Sequence, residues 1–242
     1  MRASSGPPAR PEVWVNCAAS VDGRIAFAEG ARARLSSPED LVRVQQLRSE
    51  VDGVVVGVGT VVKDDPSLRV HWELLGRPPG REPTRVIVDG SGRTPEGAKV
   101  LDGSAPTIVG VAEGCPRRFP PKVRTIVAGR GRVDLGRFFE RLAEAGMHRL
   151  LVEGGSQILG AVLRARLYDR LTVYYAPWAI GDGSAPPLDA GPSATTFDDA
   201  VALELIGVER VGAGYVASYR PAAGASRASE PQVDKPARPH PR

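Results

Sequence analysis

Over residues 13–175 the chain repeats one pattern: a short apolar run, a turn carrying glycine or an acid, then apolar residues at helical spacing. A chain written this way is confined to α/β layer structures, because strands apolar on both faces must be covered by the helices that connect them. Residues 13–19 read as the first strand, closed by Asp22-Gly23. Ser37-Pro38-Glu39-Asp40 is a helix start: Ser37 at the N-cap, Pro38 where its missing N–H costs nothing, acids at the positive end of the dipole. Leu41, Val44, Leu47 and Val51 continue it at helical spacing. Further strands are expected at 53–57, 85–88, 107–111, 123–128, 150–153 and 171–175, with helices around Leu135, Phe138, Phe139, Leu142 and Ala145 and at 156–165. Then the pattern changes. Residues 203–211 and 215–219, joined through Gly212 and Gly214, read as an antiparallel hairpin. The expectation is a mixed sheet flanked by helices, with that hairpin at its C-terminal end.

Residues 1–11 and 221–242 are rich in Pro, Ala, Ser and Arg and lack apolar periodicity, so they read as disordered tails around one folded domain, 12–220. The formal charge of +4 suggests a polyanionic partner until its location is considered. Setting aside the six bases and two acids of the tails leaves 26 bases and 26 acids in the body. With aromatics at 5%, no nucleic-acid footprint is expected. No apolar run approaches the ~18 residues of a membrane span, and the first residues lack the apolar stretch of a secretion signal. Cys17 and Cys115 are too few for an all-cysteine zinc site or a disulfide framework, which fits a reducing cytoplasm. His71, His148 and His240 fall in no metal-ligand spacing, so no metal is expected. There is neither a Gly-x-Ser-x-Gly elbow nor a zinc-deaminase signature.

Ligands of open α/β sheets bind beyond the carboxyl ends of the strands, and four segments sit there. In Gly57-Val58-Gly59-Thr60-Val61-Val62-Lys63-Asp64-Asp65-Pro66 the glycines admit a phosphate or ring to the backbone, with Thr60 and Asp64 to hydrogen-bond it. A plain strand-to-helix turn is the competing reading. Glu153-Gly154-Gly155-Ser156 joins a strand to a helix, so it is either a pyrophosphate cradle below Glu153 or a tight turn capped by Ser156. Asp89-Gly90-Ser91-Gly92 and Gly129-Arg130-Gly131 are the other two. An arginine such as Arg130 suits a 2′-phosphate, and a solvated loop is the alternative.

Taken together these segments closely resemble the pyrimidine reductases of riboflavin biosynthesis. The resemblance rests on Ser20-Val21-Asp22-Gly23-Arg24, Leu35-Ser36-Ser37-Pro38-Glu39-Asp40, Leu47-Arg48, Val51-Asp52-Gly53, the 57–68 stretch, the strand end 85–89 with Arg93-Thr94-Pro95, Glu153-Gly154-Gly155, Ala176-Pro177 and Gly181, in the family's order over 12–220. Asn16, where bacterial bifunctional members carry Lys, His71 after Leu68-Arg69-Val70, and the Gly129–Asp134 run are similar to the stand-alone archaeal type, the 2,5-diamino-6-ribosylamino-4(3H)-pyrimidinone 5′-phosphate reductases. The resemblance implies a dihydrofolate reductase-like fold, a homodimer, and NADPH-dependent reduction of a ribosylamino group to ribitylamino, with NADH the second candidate donor. It further implies that Thr60, Asp64, Asp89, Gly90, Ser91, Gly92, Arg130, Gly154, Gly155 and Ser156 hold the cofactor. Asn16, Arg48, His71 and Glu153 would face the phosphorylated substrate, Glu153 as the catalytic group. Arg32, Arg34 and Arg69 depart from the family pattern and are expected to bring extra guanidinium to the site. The competing readings are another reductase on this fold (dihydrofolate, a pterin, or the deaminated pyrimidine phosphate) and a nucleotide-binding paralogue without turnover.

Overall fold

The computed structural model describes residues 10–28 and 33–223. A nine-stranded sheet runs through it in the order β5-β4-β3-β2-β6-β1-β7-β9-β8. The strands are β1 (Glu12–Ser20), β2 (Gly53–Gly57), β3 (Thr84–Val88), β4 (Thr107–Glu113), β5 (Val123–Arg130), β6 (Arg149–Gly154), β7 (Arg170–Ala176), β8 (Leu203–Val211) and β9 (Gly214–Pro221). From β5 to β7 all pairings are parallel, while β9 pairs antiparallel with both β7 and β8. The expected mixed sheet with a C-terminal hairpin is present. Of the expected tails, Pro221 belongs to β9 and Arg10 is ion-paired to Asp169 at 2.7 Å. Residues 1–9 and 224–242, and Arg32, lie outside the described residues.

Alternation along the central strands divides the apolar core between two faces. Val55, Val86 and Val152 face helices α3 (Leu135–Glu144) and α4 (Ser156–Arg164), packing with Phe138, Phe139, Leu142, Leu159 and Val162. Val54, Val56, Ile87 and Leu151 face the other way, toward Val58 and Val61 of α2 (Val58–Asp64). That short helix occupies the glycine-rich stretch after β2, where the sequence shows no helical period. It springs directly from β2 and stops where Asp65 adopts a left-handed φ of 41°. Helix α1 (Pro38–Ser49) starts as expected, the Ser37 hydroxyl accepting from the Asp40 N–H. Its inner face is a correction. Leu41 is 47% exposed, and the buried residues are Asp40 and Gln45.

Chain order explains where a ligand fits. The chain moves outward from β1 through β2, β3, β4 and β5, then returns to insert β6 between β2 and β1, and continues to β7 on the far side. The direction reverses there, so the connections leave a crevice at the carboxyl ends of β1, β6 and β2. A strap, residues 177–192, borders that end. Ile25 N–H donates to Pro186 O, Leu188 N–H to Gly23 O, and Arg24 bridges Pro187.

Asp22 anchors the strap: the Ser20 hydroxyl and the N–H groups of Gly181 and Ile180 donate to its carboxylate and hold its pKa well below the usual carboxylate range. A carboxyl lowered on folding stabilises the native state fully above its ordinary pKa of about 4, and that contribution fades as pH falls toward the lowered value. Asp22→Asn is therefore expected to be less stable than the wild-type protein at neutral pH, the difference narrowing as pH drops below about 4. Urea midpoints from pH 7 to 2.5 check it. A difference independent of pH would show that the strap does not depend on the charge.

Candidate active site

The crevice is a cleft of about 1960 Å³, lined from the strand ends of β1, β2, β3, β5 and β6 and roofed by the strap at Pro186 and Pro192. At one end lies the Gly154–Gly155 turn. Gly155, at φ 88°, is the N-cap of α4 and offers no side-chain cap. The first intrahelical bond runs from Leu159 N–H to Gly155 O, so the N–H groups of Ser156, Gln157 and Ile158 remain outside the helical ladder. Ser156 does not cap the helix either: it sits one residue inside, and its hydroxyl donates to Pro187 O. Thr60, from α2, closes the cradle, with Oγ1 3.3 Å from where a Cβ on Gly155 would stand. Glycine is required here because other residues strain at this φ. An uncapped, nine-residue helix pointing its free donors into a cleft is suited to a phosphate.

Across the cleft, the turn after β5 stacks on the turn after β3, with Val133 N 3.6 Å from a Cβ placed on Gly90. Gly90, Ser91, Arg93, Arg130, Arg132 and Arg137 line this rim. Arg130 is 89% exposed and ion-paired to Glu113 at 2.8 Å. Arg132 and Arg137 were missed in the sequence, although they follow the Gly-Arg-Gly signal within seven residues. Thr60, Asp64, Gly90, Ser91, Arg130, Gly154, Gly155 and Ser156 all line the cleft. Asp89 and Gly92 do not. Asp89 is fully buried and turns inward to accept from the Arg93 and Thr94 N–H groups and the Thr94 hydroxyl, all within 2.8 Å. It shapes the turn that presents Gly90 and Ser91. Gly92, at φ 76°, lies against Arg117.

Glu153 stands beside the glycine turn, at the end of β6. The β2–β6 register slips there: Val55 pairs with Val152 but Val56 with Gly154, leaving Glu153 as the extra residue of a bulge. Its carboxylate takes both prongs of Arg48 on α1, Nε to Oε1 at 2.7 Å and Nη2 to Oε2 at 2.6 Å. Burial works against the Arg48 charge, yet Glu153 and the more distant Glu82 carboxylate raise its pKa above the ordinary value. Arg48 Nη1 donates to Arg69 O at 2.9 Å, so this guanidinium positions Glu153 and the 66–70 loop. Asn16 is buried on β1, outside the cleft lining. His71 is not gathered in: its ring is half exposed and 3.1 Å from Glu73, ahead of a 3₁₀ turn at Trp72–Leu75. Of the extra arginines, Arg34 lines the cleft, while Arg69 turns away to Glu82. Cys17 borders the cleft, but burial pushes its thiol pKa up to about 12, which keeps it protonated. Among the described residues no group of three or more His, Cys, Asp or Glu could hold a metal ion, and no helix is long and apolar enough to cross a membrane.

Residues 11–217 match the RibD C-terminal domain. The chain is 40% identical over 214 residues to the 2,5-diamino-6-ribosylamino-4(3H)-pyrimidinone 5′-phosphate reductase of Methanothermobacter thermautotrophicus, spanning 87% of this chain and 98% of that one. It is 37% identical over 220 residues to the Archaeoglobus fulgidus protein of the same name, with the same coverage. Among solved structures, Acinetobacter baumannii RibD superposes at TM-score 0.75 with 24% identity over 89% of this chain and 59% of that one. The Saccharomyces cerevisiae riboflavin biosynthesis reductase Rib7 superposes at 0.70 with 22% identity over 90% and 93%. These two likenesses speak for the fold. With a continuous match over the described body and two relatives aligned nearly end to end, the chain belongs to the RibD C-terminal domain family.

Proposed function

We propose that this protein reduces 2,5-diamino-6-ribosylamino-4(3H)-pyrimidinone 5′-phosphate, the compound in its archaeal relatives' names, to the ribitylamino product in riboflavin biosynthesis, with NADPH as donor. One observation carries the reading: a single cleft joins the uncapped α4 N-terminus and the arginine rim to the buried carboxylate of Glu153. The α4 donors, the Gly154–Gly155 turn and Thr60 fit a dinucleotide pyrophosphate. Arg93, Arg130 and Arg132 on the rim favour a cofactor bearing a 2′-phosphate over one without it.

When bound, the reduced nicotinamide supplies hydride chemistry. The protein's own part is electrostatic and geometric. Reduction at the ribosyl C1′ passes through the ring-opened imine, whose nitrogen carries positive charge once protonated. Glu153 is an anion already fixed beside that end of the cleft, and an oriented charge stabilises a developing cation without reorganising first. Both carboxylate oxygens accept from Arg48, so the geometry favours charge stabilisation over proton relay. Arg34 supplies the lining cation nearest in sequence to α1, suited to the substrate phosphate.

A homodimer fits the outer edge of the sheet. Leu203, Leu205, Ile206 and Val208 of β8 are exposed there, and a long apolar edge strand favours pairing with another chain. The biosynthetic role and two unpaired cysteines fit the cytoplasm. Single-turnover oxidation of NADPH, followed by nicotinamide absorbance, tests the reading with the diamino compound beside its deaminated counterpart and dihydrofolate. Preference for the diamino compound is expected. NADPH binding with no oxidation by any of the three overturns the substrate assignment.

A further inference from the structure

On the inner face of α1, Arg43 donates to Asn16 of β1, while Gln45 and Arg48 hold the loop that follows α2. Arg48 is engaged at both ends of its guanidinium: Nε and Nη2 on Glu153, and Nη1 on Arg69 O at 2.9 Å. The group is planar and its donors are fixed relative to one another, so the place of the Arg69 carbonyl decides how the fork meets Glu153. That carbonyl belongs to a stretch held in an unusual shape. Leu68 sits at φ 54° with its side chain 2% exposed, a backbone state that a non-glycine residue keeps only where its surroundings impose it. Glu82, at the far end of the same loop, supplies the constraint together with Gln45. Its Oε2 accepts from the Val70 N–H at 3.0 Å, and its Oε1 from Trp72 Nε1 at 3.0 Å and Arg69 Nη2 at 3.4 Å. Gln45 Oε1 accepts from the His71 N–H at 2.9 Å. Residues 69–72 are thus tied one after another, beside the carbonyl that Arg48 uses. Neither Glu82, nor Arg48, nor any other residue of 66–83 lines the cleft.

We propose that Glu82 is a positioning residue for the reaction: by holding the 69–72 backbone it places the Arg69 carbonyl, and through it the Arg48 fork that aims the Glu153 carboxylate. The inference rests on the proposed reductase function and deepens it. Glu82 touches neither substrate nor cofactor, and its whole effect on turnover passes through Arg48 to Glu153. A charge stabilises a developing cation only in the orientation in which it is held, so a loosened fork weakens the chemical step and leaves binding as it was.

A double-mutant cycle tests it, because two residues that act along one line are not additive. Glu82→Gln keeps the size of the side chain and one acceptor, and removes the second acceptor. Its single-turnover rate with the diamino compound is expected to fall about tenfold, with KM and the NADPH dissociation constant within about twofold of wild type. In a Glu153→Gln background the same substitution is expected to lower the rate by less than about twofold, since the carboxylate it aims is already gone. A structural role would give the same fall in both backgrounds, and that result overturns the proposal. So does an unchanged rate in the folded Glu82→Gln protein. If Glu82→Gln does not fold, Glu82→Asp, which keeps both oxygens on a shorter arm, carries the same cycle with an expected fall of about threefold. If the wild-type protein binds NADPH but turns over none of the diamino compound, the reductase reading falls and takes this inference with it; an active wild type with additive losses sinks the inference alone.

Discussion

Glu153→Gln is expected to lower kcat by about a hundredfold or more, the usual cost of deleting a preorganised charge at the reacting centre. The amide is isosteric and still accepts one Arg48 bond, so the bulge and the cleft keep their shape. Cofactor affinity should stay within about twofold, because in the proposed binding mode the adjoining turn holds the cofactor through backbone N–H groups. Arg48 loses half its partner, and some stability is lost with it, since an uncompensated buried charge costs up to about 3–5 kcal/mol. Single-turnover rates at saturating cofactor, with NADPH binding measured separately, divide the effects. Equal losses in turnover and NADPH affinity would make Glu153 a support for the turn and end its catalytic assignment.

The second large effect lies away from the cleft. Arg85, second in β3, is 0% exposed, and its guanidinium is saturated. Nε donates to the Thr107 hydroxyl, Nη1 to Lys99 O and Asp102, and Nη2 to Ala105 O, all within 3.0 Å. These bonds tie a 3₁₀ turn at Lys99–Leu101 and the start of β4 to the sheet. Arg85→Met fills the volume but strips the Lys99 and Ala105 carbonyls and the Asp102 carboxylate of their donor, while the Thr107 hydroxyl keeps its bond to Val100 O, and it is expected to cost about 3–5 kcal/mol of unfolding free energy. Urea denaturation at pH 7 measures it. A loss below about 1 kcal/mol would mean that the loop finds other partners. Activity of the folded variant should be near normal, because Arg85 sits at the opposite end of β3 from the Asp89 turn.

Much of this architecture is legible in the residues. The β/α alternation, the Ser37 cap and the Gly212–Gly214 hairpin are local signals, and local signals survive folding. The inner face of α1 was not legible. Leu41 and Val44 keep the helical beat, but the helix covers Asn16 and Glu153, so its buried positions are polar and contradict an apolar reading. Helix α2 was hidden for another reason: seven residues with a glycine second are too few to show a period. At the site, glycine spacing pointed to turns that line the cleft. It could not say that Asp89 turns inward or that Arg48 is consumed by Glu153, because both depend on partners far along the chain. The strap was equally silent, since its anchors on Asp22 join residues more than 150 positions apart.

The slipped register at Glu153 bears on how a reductase of this shape can change its substrate. The bulge is made by the backbone pairing of Val56 with Gly154, which sets the Glu153 side chain apart from the ladder. Position 153 is thus a socket set beside the glycine turn and separate from it in the backbone ladder. On the proposed function, one strand end then carries a reacting position and a cofactor turn that selection can alter separately.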